Sequence, residues 1–134
     1  MSNKTTIQES VPPVDGAIRN PSNPHHFMVI KPIDRCVRTF IGETLIADTT
    51  DAVRVIEIGK NAYDPLVYVP AADLTQRLEE TDKISHCPLK VDAVYFAIGG
   101  EEIGWSYVAP FDFANQLAGR LCFWPSKVRI EEGP

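Results

Sequence analysis

Val94-Tyr95-Phe96-Ala97-Ile98-Gly99-Gly100-Glu101-Glu102-Ile103-Gly104-Trp105-Ser106-Tyr107-Val108 decides the fold of this chain. Val94 to Ile98 is apolar, β-branched and aromatic, too short for a helix and suited to a pleated surface. Gly99-Gly100 supplies the positive φ that a tight reversal needs, and Ile103 to Val108 runs back as the second arm of a hairpin.

The same grammar extends in both directions. Arg35 to Ile41 alternates, Gly42-Glu43 turns, and Thr44 to Ala47 returns. Val53 to Ile58 is β-branched and bounded by Asp51 and Gly59. Leu66 to Val69 enters through Asp64-Pro65 and stops at Pro70, which reads as a buried strand. Leu121 to Trp124 and Lys127 to Ile130 form the last strands, split by Pro125-Ser126. Leu74 and Leu78 stand four apart and predict one or two helical turns within Ala71 to Glu80. Asp112 is placed to cap a short helix over Phe113 to Leu117, with Gly119 ending it. Seven to nine short strands with two stubby helices, and no long crossover helix, predict a mainly β, antiparallel domain.

Upstream the composition changes. Residues 1–24 carry Pro12, Pro13, Pro21 and Pro24 among small polar residues, and read as a flexible or draped tail before a single globular domain over 25–134. Phe27 to Ile30 is a short apolar run, an added edge strand or a strap, closed by Pro32. Adjacent His25 and His26 on an extended segment point opposite ways, so one metal ion cannot easily take both, and they read as surface residues.

A chain of 134 residues with 44% hydrophobic and 23% charged residues can close one core. A net charge of -5 with scattered Lys and Arg argues against nucleic-acid binding. The apolar runs fall far short of the ~20 residues that span a bilayer. The proline-rich start lacks a signal peptide's apolar segment, so a cytoplasmic protein away from membranes is expected. Its cysteines, Cys36, Cys87 and Cys122, are odd in number and widely spaced, which writes neither a disulfide framework nor a zinc ribbon.

The stretch His86-Cys87-Pro88-Leu89-Lys90-Val91-Asp92 concentrates an imidazole, a thiol, an ammonium and a carboxylate. Neighbouring positive groups lower a thiol's pKa, so Cys87 is a candidate nucleophile; as a free cysteine it also fits a small buried hydrophobe. Lys90 can hold an anionic group or act as a base, or simply pair with Asp92. Tyr68, Tyr95, Trp105 and Tyr107 fit a core or a cleft wall, since Tyr and Trp carry a polar tip. Trp105 and Tyr107 share a strand face with Tyr95 across the hairpin. Glu57 is either exposed at its strand end or partnered by Arg38 or Arg54. Asp73 reads as a cap for the following turn.

His86-Cys87-Pro88-x-Lys90, Ala93-x-Tyr95, Trp105-Ser106-Tyr107, Pro110 and Ala118-Gly119 together resemble the family of the domain of unknown function 427. Ala47-Asp48-Thr49, Val55-Ile56-Glu57 and Tyr68-x-Pro70-x-x-Asp73 fit its pattern upstream, in order, so the resemblance spans about 37–130. Leu89 and Val91 depart from it, where the family usually has an aromatic and a glycine. The resemblance implies a β-tent fold, with two antiparallel sheets pinned at one end and splayed over a cleft. Relatives of that architecture often pin the sheets with zinc on four cysteines, which this chain lacks; neither a metal nor a cofactor is expected. A small polar or anionic organic ligand, of no identified kind, is the expected occupant of the cleft between the sheets. Arg38, Glu57, Tyr68, Cys87, Lys90, Tyr95, Trp105 and Tyr107 would line it. A non-catalytic protein-interaction module and a thiol-dependent enzyme using Cys87 stand as alternatives, and no oligomeric state is implied.

Overall fold

Eleven strands make two antiparallel sheets in the computed structural model, which describes residues 13–87, 91–108 and 112–133, without the side chains at 87, 91 and 112–114. In chain order they are β1 (Ile18–Asn20), β2 (Asn23–Pro32), β3 (Cys36–Ile41), β4 (Thr44–Thr49), β5 (Val53–Ile58), β6 (Leu66–Pro70), β7 (Glu79–Cys87), β8 (Val91–Ile98), β9 (Glu101–Tyr107), β10 (Arg120–Phe123) and β11 (Arg129–Gly133). The larger sheet has the order β1-β2-β5-β6-β10-β9-β8-β7, and the smaller the order β11-β3-β4. The mainly β reading is therefore correct.

The deciding hairpin forms as its sequence dictates. Gly99 and Gly100 have φ of 60° and 82°, the pair of left-handed residues that matches the twist of two strands. Tyr95 sits opposite Trp105 and Ala93 opposite Tyr107.

Three local expectations are corrected. The helical turns expected over Ala71 to Glu80 reduce to a 3-10 turn at Ala71–Asp73, and Glu79 already opens β7. Leu74 and Leu78 are instead partly buried hydrophobics packed onto the core between the sheets. The helix after residue 111 is a 3-10 segment, Asp112–Leu117, followed by Gly119 at φ 71°; the Asp112 side chain lies outside the described residues. Residues 18–20 and 23–24, read above as tail, lie in the paired strands β1 and β2: Ile18 stands opposite Met28 and Arg19 opposite Phe27.

Two apolar clusters hold the sheets. The first lines one face of the larger sheet and gathers Met28 from β2, Val53 and Val55 from β5, Tyr68 from β6, Cys122 from β10, Trp105 from β9 and Tyr95 from β8. Strands five places apart in the order can share one cluster only if the sheet curls around it, as a partly closed barrel does. The second cluster joins Val37, Ile46 and Ala47 of the smaller sheet to Val69, Ile103 and Phe123 of the larger. The facing sides of the two sheets are thus packed together through this cluster, and the curl of the larger sheet makes a separate concavity. No helix of the described residues is long and apolar enough to cross a membrane.

Candidate functional site

Alternation along β2 and β5 carries the inner face outward to polar groups. Met28 belongs to the inner cluster, so His26, two residues earlier, emerges on the same face. Val53 and Val55 belong to it too, which puts Glu57 on that face, and Met28 pairs with Glu57 across the strands. His26 Nε2 and Glu57 Oε2 meet at 2.7 Å, with both side chains about four-fifths buried (16% and 20% exposed).

The hydrogen bonds around this pair assign its protons. Asn20 Oδ1 accepts from the Ser22 amide at 2.9 Å, which turns Asn20 Nδ2 toward His26 Nδ1, 3.4 Å away. With an amide donor there, Nδ1 is the acceptor and the ring proton sits on Nε2, donated to Glu57. Both ring nitrogens are therefore engaged, and His26 is a strut that holds the carboxylate.

Beyond β5 the chain folds back over the pair. Gly59 N–H donates to the Asn61 carbonyl at 2.9 Å and Tyr63 N–H to that of Glu57 at 3.1 Å. A Cβ on Gly59 would lie 3.2 Å from His26 Cδ2 and 3.3 Å from Tyr63 Cε2, so glycine lets this turn close on the imidazole.

A cavity of about 560 Å³ opens here, lined by Asn20, Asn23, His26, Glu57, Gly59, Lys60, Tyr63 and His86. His86 comes from β7, one edge strand of the larger sheet, while Asn20 belongs to β1, the other. The cavity is thus the open seam where the two edges of the curled sheet approach. The hydrogen-bonded row from Val53 through Tyr68, Cys122, Trp105 and Tyr95 reaches β7 below His86, so the edges meet with a stagger of several residues. Strand tilt in a closing sheet produces that stagger.

His86 stands in a different state from His26. Its Nδ1 lies 2.9 Å from Asp92 Oδ1, the residue facing it across the β7–β8 pair, and both side chains are exposed. The carboxylate can only accept, so Nδ1 carries a proton, and in the neutral ring Nε2 offers a lone pair. Among the described residues Nε2 has no hydrogen-bond partner.

The residues singled out from sequence are divided by the fold. Glu57 lines the seam, partnered by His26; Arg54 pairs with Glu132, and Arg38 lies 3.5 Å from Asp48 on the smaller sheet. Tyr68, Tyr95 and Trp105 are brought together, but inside the curl, at 1%, 8% and 7% exposure. Trp105 meets Tyr68 edge-on at 6.4 Å and Tyr107 stacks on Tyr68 at 6.3 Å. Tyr95 shares a 2.6 Å hydrogen bond with Ser85. The Cys87 side chain and Lys90 lie outside the described residues. Asp73 accepts from Thr49 Oγ1 at 2.7 Å, a tie between the turn and the smaller sheet.

His26 is mostly buried, against the surface placement expected of it. The signal was the alternation His26-x-Met28-x-Ile30, which puts the imidazole on an apolar face. Asn20, Lys60 and Tyr63 had no such signal.

A known family accounts for most of this fold. The model of a family described as Domain of unknown function (DUF427) matches residues 29–133. The chain belongs to that family. Among curated proteins none matches it. The DUF427 segment includes Glu57, Gly59, Lys60, Tyr63 and His86, whereas Asn20, Asn23 and His26 precede it. One wall of the seam is therefore supplied by chain outside the family segment.

Proposed function

We propose that the seam binds a small polar organic ligand carrying an anionic group. The observation behind this reading is the convergence of His26, Glu57, Lys60 and His86 on one cavity of about 560 Å³, within the 300–1,000 Å³ range of ligand pockets. Lys60 would neutralise the anion, His86 Nε2 would accept a hydrogen bond from a hydroxyl or amide N–H, and Glu57, held by His26, would take a donor deeper in. The Tyr63 ring would cover one side, and the Tyr68, Tyr95, Trp105 and Tyr107 cluster would keep the inner wall rigid. Cys36 and Cys122 are not in a disulfide among the described residues, which supports a cytoplasmic setting.

The test is ligand-observed NMR with a fragment library of small carboxylates, hydroxy acids and amides. Fragments that bind the native protein should lose about tenfold in affinity in His86→Ala and in Lys60→Gln, the scale of one charge-assisted hydrogen bond. Both side chains are exposed, so folding should be unaffected. Fragments that bind all three proteins equally would overturn the reading.

A further inference from the structure

A second cavity, of about 390 Å³, lies at the margin where the two sheets meet, apart from the seam. Lys31, Pro32, Ile33, Asp34 and Arg35, the crossing from β2 to β3, line it with Arg54 and Ile56 of β5 and Glu132 of β11. Three cations, Lys31, Arg35 and Arg54, face two acids, Asp34 and Glu132, so the cavity is locally positive on a chain of net charge -5. Buried Ile33 and half-buried Ile56 give it an apolar floor, which reduces the water competing for the charges.

The cations are not equivalent. Arg54 Nη2 is ion-paired with Glu132, whereas the side chains of Lys31 and Arg35 have no hydrogen bond or ion pair among the described residues. Glu132 shows that an oxyanion fits against the Arg54 guanidinium, and a guanidinium fork suits phosphate oxygens as well as carboxylates.

We propose that this junction binds a small multivalent anion of the phosphate class, with Lys31, Arg35 and Arg54 as its ligands. Glu132 is the internal counter-ion that the anion displaces. An occupant with more than one charge would engage the free pair and Arg54 together, and so tie the crossing, β5 and β11 into one unit.

Calorimetric titration of the full chain with inorganic pyrophosphate tests this. Lys31→Gln and Arg35→Gln, both at exposed positions, should each weaken pyrophosphate at least fivefold, and orthophosphate should bind more weakly than pyrophosphate. Glu132→Gln should bind it more tightly than the native chain, because the competing carboxylate is gone. His86→Ala, at the seam, should bind it unchanged. No binding, binding indifferent to Lys31 and Arg35, an unchanged or weaker Glu132→Gln, or loss in His86→Ala would each overturn the assignment.

Discussion

With both ring nitrogens of His26 engaged, the imidazole holds the mostly buried carboxylate of Glu57 at 2.7 Å. His26→Ala should therefore cost about 1.5–3 kcal/mol, the range for a hydrogen bond to a charged group, and urea denaturation would show it as a lower midpoint at unchanged slope. An unchanged midpoint would mean that the imidazole is not a strut. Tyr68 makes a second residue-level case. Burial, with Cys122 and Tyr107 beside it, pushes the phenol well above the usual tyrosine range. A folded pKa above the unfolded value means the contribution to stability is intact below about pH 10 and declines as pH rises toward the folded pKa. In a spectrophotometric alkaline titration Tyr68 should ionise well above the ordinary tyrosine range, together with unfolding. Tyr68→Phe should lose that coupled phase.

Elements were legible where local chemistry and tertiary fate agreed. Gly99-Gly100 and the apolar strands on either side announce a hairpin, and that hairpin forms. β7 was hidden because its first residues, Glu79 to Lys83, are polar and sit at a sheet edge, with no alternation to read. Leu74 and Leu78 imitated helical spacing while each was drawn separately to the inter-sheet core. Gly104 tests the packing of these elements. A Cβ there would run into the carbonyl oxygen of Cys122 and crowd Phe123, backbone and ring that cannot easily move. Gly104→Ala should cost about 1–3 kcal/mol by forcing β9 from β10, measured as a fall in urea midpoint. A neutral substitution would contradict the close approach of those strands.

The closure of the whole molecule was not legible. The aromatic residues were readable as a group, yet whether they walled a cleft or filled a core depends on how far one sheet curls. That curl brings residues 20 and 86 to one cavity through a stagger accumulated over seven strand pairings, which no local pattern records. The central claim is that the two edges of one sheet build one site. Amide chemical shifts mapped while a seam-binding fragment is titrated into the full chain test it most directly. Residues 18–26 on one edge and 85–86 on the other should shift together, along one binding curve, with 57–63. Shifts confined to one edge, or two edges moving with different affinities, would contradict it.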